Sequence, residues 1–224
     1  KLYCILPFEP EFYAGFGIDV AYFGHPLLDE ITSFQQKSEP LSFAKPVLAV
    51  LPGSRRQEIE KKLPQMLEAA SKFSATHQIA VACSSNIPQE VYEAYCKDYD
   101  VYLSSAHTYD VLSVATLALV TSGTATLETA LFKVPQVVCY KGSGLSIWLA
   151  KKLVKIKYIS LVNLIVQKAA IPELIQDDFT VENMQKELLR LLPGQPMRQT
   201  QLLHYTTLQA LLQEPGASSR VAQS

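Results

Sequence analysis

Short apolar runs alternate along this chain with longer stretches whose apolar residues recur every three or four positions, and no other feature restricts its fold as much. Val47–Leu51 is apolar throughout and ends in Pro52-Gly53-Ser54-Arg55-Arg56. The following stretch places Ile59, Leu63, Leu67, Ala70 and Phe73 at helical spacing, with Pro64 expected to kink that helix or to start a fresh one. Strands are predicted again at Ile79–Cys83, Val101–Leu103, Leu117–Val120 and Gln136–Cys139, the last of the clear ones. Helices are predicted over Pro88–Tyr95, Tyr109–Ala115 and from the Thr121-Ser122-Gly123-Thr124 turn through Phe132. Continuous apolar runs belong to strands covered on both faces, and strands alternating with helices imply βαβ units. The fold class is therefore α/β, a parallel sheet with helices on both faces.

The flanks read less clearly. Leu2–Leu6 and Val20–Phe23 are strand-like, with a helical Glu11–Phe16 between them and Gly24-His25-Pro26 after them. Thr32–Lys45 is polar and reads as a linker or long loop. Ser146–Val154, Leu161–Val166, Val181–Leu192 and Gln199–Gln213 are predicted helices, and Pro215–Ser224 a frayed tail. The chain starts inside a strand and without Met, which is expected of a piece of a longer protein.

Composition closes off several classes of function. With 48% apolar and 18% charged residues and a mean hydropathy of +0.10, the chain has the means to build a core and is not disordered. No apolar run approaches the roughly 18 to 20 residues of a membrane-spanning helix. A net charge of -1 gives no footprint for nucleic acid. Cys4, Cys83, Cys96 and Cys139 show no C-x-x-C spacing and read as reduced core residues, and the four histidines form no H-E-x-x-H, so no metal is expected.

In open parallel sheets ligands bind beyond the carboxyl ends of the strands, so the strand-to-helix turns are where chemistry is sought. In the first, Gly53 permits a sharp turn, Ser54 is placed to cap the next helix, and Arg55 offers a planar charged fork to phosphate oxygens. The second runs Thr121-Ser122-Gly123-Thr124-Ala125-Thr126-Leu127-Glu128. Its amides and its four hydroxyls suit a phosphate, and Glu128, one turn into the helix, suits a ribose diol. Neither turn is a Walker A or a G-x-G-x-x-G, so NAD is not indicated. The plainer alternatives are a Ser N-cap with solvated arginines, and a carboxylate that complements a helix dipole.

Asn163 interrupts the apolar run 159–166 and needs hydrogen-bond partners, from a helix cap or from a ligand. Glu173 follows Pro172 and reads locally as a first-turn carboxylate of a helix. The basic cluster Lys151, Lys152, Lys155 and Lys157, interleaved with Trp148, Leu149, Leu153 and Ile156, is a solvated helix face or a surface for anionic lipid. His25 and His107 are single histidines that read as structural.

The strings LPGSRRQEI (51–59), TSGTATLETALFKVPQVVCYK (121–141) and VKIKYISLVNLI (154–165), with LPFEPEFY (6–13) and VAYFGHPLLD (20–29), resemble the lipid-A-disaccharide synthases, in order over roughly residues 1–192. That family consists of inverting GT-B glycosyltransferases, in which two Rossmann-like domains face a cleft. The resemblance implies a hexosyltransferase of lipid A biosynthesis in the cytoplasm of a Gram-negative bacterium, peripheral on the inner membrane. It would transfer 2,3-diacylglucosamine from UDP to 2,3-diacylglucosamine 1-phosphate (lipid X), giving lipid A disaccharide 1-phosphate and UDP, with the UDP-sugar as substrate and no cofactor.

The same resemblance divides the chain into residues 1–30, the end of an N-terminal domain; 31–45, a linker; 46–192, the UDP-sugar-binding domain; and 193–224, a C-terminal helix and tail. It assigns Gly53, Ser54, Arg55, Ser122, Gly123, Thr124, Ala125, Thr126, Glu128, Asn163 and Glu173 to the donor, with Arg55 stabilising the leaving UDP as a base deprotonates the acceptor hydroxyl. The base belongs to the other half, so this chain is expected to bind donor without turning over. Partners implied are the two lipid substrates, a membrane surface and a homodimer that exchanges C-terminal helices. A UDP-N-acetylglucosamine 2-epimerase-like enzyme and a non-catalytic nucleotide-sugar-binding module are the alternatives.

Overall fold

The computed structural model describes residues 1–37, 41–105, 108–142 and 157–224. The predicted helix at Ser146–Val154, His107 and most of the basic cluster lie outside them. Two short strands, β1 (Tyr3–Cys4) and β2 (Ala21–Tyr22), pair in parallel around α1 (Glu9–Ala14). After α2 (Leu27–Gln35) the main sheet begins with β3 (Val47–Leu51), α3 (Arg56–Ser71), β4 (Gln78–Ala82), α4 (Gln89–Cys96) and β5 (Val101–Ser104). It continues with α5 (Thr108–Val114), β6 (Ala115–Thr121), α6 (Thr124–Leu131), β7 (Gln136–Tyr140), α7 (Leu161–Val166) and β8 (Glu173–Ile175). Helices α8 (Val181–Arg190), α9 (Pro196–Leu212) and α10 (Ala217–Gln223) close the chain.

All neighbouring strands of the main sheet are parallel, in the order β5-β4-β3-β6-β7-β8. The chain adds strands to one side of β3, then jumps back and adds to the other. That order is the dinucleotide-binding arrangement, and its reversal point lies between β3 and β6. The register sets Leu51 beside Val120, so the turns after these two strands stand side by side.

Alternate strand residues explain the two-sided core. Leu48, Val50, Ile79, Val81, Leu117 and Leu119 pack under α3, α4 and α8. Their sequence neighbours Val47, Ala49, Leu51, Ala80, Ala118 and Val120 face α2 and α5. Leu127, Val138, Val162, Leu208 and Leu212 extend that second layer through α6, α7 and α9. All four cysteines are free and buried. No helix among the described residues is long and apolar enough to cross a membrane.

Several expectations need correction. Pro64 lies inside one continuous α3 and starts no new helix. The polar segment from Thr32 is not all loop, because α2 runs to Gln35 on the strength of buried Leu28 and Ile31. Glu173 opens an edge strand rather than a helix. The predicted helix Gln199–Gln213 is longer at its start, and as α9 it packs across α6, α7 and α8 of its own chain. The Gln201 side chain copies a strand there, its Oε1 accepting from Gln136 N at 2.6 Å and its Nε2 donating to Gln136 O at 3.2 Å. Pro215–Ser224 is not frayed either, since α10 is tied back to the start of the chain. Asp29 accepts from the Gly216 amide and from Ser218 N at 3.1 Å, and Arg220 Nε donates to Phe23 O at 2.9 Å.

Candidate functional site

A cleft of about 640 Å³ opens over the carboxyl ends of β3, β4, β5 and β6. Its floor is the pair of turns at the reversal point. Gly53 holds φ at +117° and Gly123 at +146°, backbone conformations that L side chains rarely adopt. Thr121 Oγ1 donates to Pro52 O at 2.9 Å and joins the two turns.

Both turns feed a helix whose first turn is left open. The N-cap of α3 is Arg55, not Ser54, and no side chain caps its amides. The N-cap of α6 is Gly123, likewise without a side-chain cap. A helix leaves its first N–H groups unpaired and carries a partial positive charge at that end. Two such ends converging on one cleft make a site for an anion with two charged groups.

Of the sequence-predicted residues, Gly53, Ser54, Arg55, Ser122, Gly123, Thr124, Ala125 and Glu128 line the cleft. Thr126, Asn163 and Glu173 do not. Thr126 is 0% exposed and its hydroxyl donates to Gly123 O at 2.8 Å. The hydroxyl proton of Ser122 is likewise committed, to Ile159 O at 3.1 Å. With Thr121 also engaged, three of the four hydroxyls expected to cradle a phosphate are spent inside the chain. Thr124 is exposed and lines the cleft, but its hydroxyl bonds the Glu128 carboxylate, so the cradle is made chiefly of amides.

Asn163 is 1% exposed and fully used. Its Nδ2 donates to Ile171 O at 2.9 Å and to Glu173 Oε1 at 2.8 Å, while its Oδ1 accepts from Ala170 N and Ile171 N at 2.8 and 2.9 Å. That exhausts the two donors and two acceptor positions of an amide side chain. Glu173 also accepts from Ile159 N at 3.0 Å, Ser160 N at 2.9 Å and Ser160 Oγ at 2.6 Å. The pair therefore anchors residues 159–160, and Ile159 in turn holds Ser122 of the second turn. Neither is among the residues that line the cleft.

Arg55 is open to solvent, its side chain 79% exposed, and its Nη1 meets Glu58 Oε1 at 3.0 Å. Glu128 is partly buried, and burial raises its carboxyl pKa; a Thr124 hydrogen bond opposes this and the charge of Glu30 adds to it. The far end of the cleft, formed by Cys83, Ser84, Ser85, Ser105 and Thr108, was missed by the sequence reading. It carried a signal, for Cys83-Ser84-Ser85 and Ser104-Ser105 are small polar segments after strands, as the two chosen turns are. Burial and the nearby Cys96 and Glu93 push the Cys83 thiol up to about 12, so that side chain is neutral.

The remaining candidates are elsewhere. His25 is buried, accepts from Leu27 N at 3.2 Å, and burial lowers its pKa, so it is a structural side chain. Lys157 sets its Nζ 5.3 Å from the centre of the Tyr158 ring. Lys151, Lys152 and Lys155 fall outside the described residues. Among the described residues no three His, Cys, Asp or Glu side chains cluster as a metal site.

A family model described as Lipid-A-disaccharide synthetase matches residues 1–223. The lipid-A-disaccharide synthase of Anaeromyxobacter dehalogenans (strain 2CP-C) is 37% identical over 233 residues, covering 100% of this chain and 61% of that protein. That of Myxococcus xanthus (strain DK1622) is 34% identical over 236 residues, with the same coverage of 100% and 61%. The chain thus spans about 61% of the length of these curated relatives. Among solved structures, the UDP-GlcNAc 2-epimerase from Neisseria meningitidis bound to UDP-GlcNAc aligns with a TM-score of 0.66 over 99% of this chain and 60% of that one. At 12% identity that likeness concerns the fold.

Proposed function

The chain belongs to the lipid-A-disaccharide synthase family, and on that premise we propose that its cleft is the UDP-sugar donor site of a glycosyltransferase of lipid A biosynthesis. The complete enzyme transfers 2,3-diacylglucosamine from UDP to 2,3-diacylglucosamine 1-phosphate and releases the disaccharide 1-phosphate and UDP. The observation that carries the reading is the pair of uncapped helix N-termini meeting at the reversal point of the sheet. A diphosphate placed there receives amide hydrogen bonds from both helices.

The rest of the donor follows from the shape of the cleft. Glu128 stands where it accepts from a ribose diol. The hydroxyl-lined end by Ser84, Ser85, Ser105 and Thr108 suits the polar edge of a base rather than a phosphate. Arg55, at the open side, neutralises the charge that grows on the leaving UDP. The acceptor, the base that deprotonates it and any contact with the cytoplasmic face of the inner membrane belong to the remainder of the enzyme. Asn163 and Glu173 serve the donor at one remove, by holding the segment on which Ser122 rests.

Calorimetric titration of this chain with UDP, with ADP and NADH as controls, tests the proposal. UDP binding that ADP and NADH do not match supports it. A folded chain that binds all three alike, or none, overturns it for this chain.

A further inference from the structure

Among the described residues, two carboxylates line the cleft. Glu128 stands at the ribose position, where a hydrogen-bond acceptor is wanted. Glu58 stands at the diphosphate turn, where a negative charge is the wrong one. An acidic residue three places after an N-cap has two common uses: it complements the helix dipole, or it reaches back to the N-cap amide. Glu58 does not take the second course. Its Oε1 accepts from Arg55 Nη1 at 3.0 Å, and no backbone amide among the described residues donates to it. The rest of the side chain lies across the turn, for a Cβ built on Gly53 would collide with Glu58 Oε2 and stand 3.1 Å from Glu58 Cβ. With a side-chain exposure of 26% against 79% for Arg55, the carboxylate is the inner partner of the pair.

We propose that Glu58 is a built-in rival of the donor diphosphate: it holds Arg55 and lies across the Gly53 turn, and the incoming phosphates displace it from both. This rests on the reading of the cleft as a UDP-sugar site and adds a regulating residue to it. The competition lowers the affinity for UDP and hastens its departure after transfer. Displacement does not strand the carboxylate. Lys62 lies one turn further along α3 at 2% exposure, and burial lowers its ammonium pKa while the charge of Glu58 opposes that fall. A carboxylate and an ammonium four residues apart on a helix are neighbours.

The test is titration with UDP of the 224-residue chain and of its Glu58→Gln, Glu58→Ala and Glu60→Gln variants, at low and high salt, with thermal unfolding of each. Glu60 pairs with Arg56 outside the cleft and controls for the change in net charge. Both Glu58 variants should tighten UDP binding by roughly five- to tenfold at low salt, the gap narrowing as salt screens it, and should slow UDP dissociation. Glu60→Gln should stay within about twofold of the parent. A merely structural Glu58 predicts the opposite, a less stable helix and weaker binding. Unchanged or weaker UDP binding by folded Glu58 variants, beside a parent chain that binds UDP, overturns the rivalry alone. No UDP binding by the parent or any variant overturns the donor-site reading and this inference with it.

Discussion

The Asn163 side-chain amide donates to Glu173 Oε1 across 2.8 Å, and every other polar atom of the two side chains is also bonded within the chain. Asn163→Ala strands two amides, a carbonyl and part of a carboxylate at once. Unsatisfied buried groups cost about 1–3 kcal/mol each, and partial relaxation keeps the total below their sum. A loss of about 3 kcal/mol, near 6–12 °C in Tm for a chain of this size, is expected by calorimetry. Asn163→Asp should be worse at neutral pH than at pH 4, because it sets two carboxylates against each other. Weaker UDP binding with no loss of stability would instead mean that Asn163 meets the ligand directly.

Thr121→Val removes the hydroxyl that joins the two turns and leaves Pro52 O without that partner. The expected cost is about 1–3 kcal/mol in chemical unfolding. UDP affinity should fall as well, since the two helix N-termini lose their common alignment. Thr121→Ser keeps the hydroxyl and should restore both.

How much of this was legible in the sequence depends on what each residue touches. β3 and the centre of β6 could be read because strands covered on both faces carry continuous apolar runs, here 47–51 and 117–120. The glycine turns could be read because few other residues take their backbone angles. β8 could not: it has three residues, lies at the sheet edge and begins with a glutamate after a proline, which is also how a helix begins. The hydroxyls were harder still. Ser122, Thr124 and Thr126 are all hydroxyls of one turn, and only the fold assigns Ser122 to Ile159, Thr126 to Gly123 and Thr124 to Glu128 at the cleft. Asn163 shows the reverse case, for a lone amide in an apolar run announces that it needs partners, and the fold supplies them from Ala170, Ile171 and Glu173.

Glu128 sets stability against binding. Its folded pKa is raised above the ordinary carboxylate value, first by burial and then, against a Thr124 hydrogen bond, by Glu30. Folding therefore favours its protonated form. The contribution to stability is fully present below the unfolded pKa, about 4.5, and is lost as pH rises through the higher folded value. Glu128→Gln should thus unfold at a higher temperature than the parent near pH 7, with the difference shrinking toward pH 4. The same variant should bind UDP about tenfold or more weakly, as expected for losing hydrogen bonds to a charged acceptor. A variant that is both less stable and equally tight would remove Glu128 from the ribose position.

The polar node beneath α9 should behave as a lock on that helix. Tyr205 OH lies 2.8 Å from Gln201 Oε1 and 3.1 Å from Val134 O, inside a buried layer. Tyr205→Phe leaves those acceptors short of a donor and should cost about 1–3 kcal/mol. Gln201→Leu should cost more, because it frees both the amide and the carbonyl of Gln136. Hydrogen exchange at Gln136 is the direct readout, and it should quicken in both variants. Unchanged protection would mean that α9 is held by its apolar residues alone.

Arg55→Ala isolates the part of UDP binding that depends on charge at the open side of the cleft. Removing a charged hydrogen bond to phosphate costs about 1.5–3 kcal/mol. In this chain the measured loss should fall toward the lower end, because Glu58 pairs with the guanidinium and part of Arg55's attraction is spent on it. The loss should grow when Arg55→Ala is made in a Glu58→Gln background, where the guanidinium starts unengaged. A double-mutant cycle in UDP titrations measures that difference directly. Additive losses would mean that the two side chains act on the ligand independently. An Arg55→Ala chain that binds UDP as tightly as the parent would place the guanidinium outside the donor site.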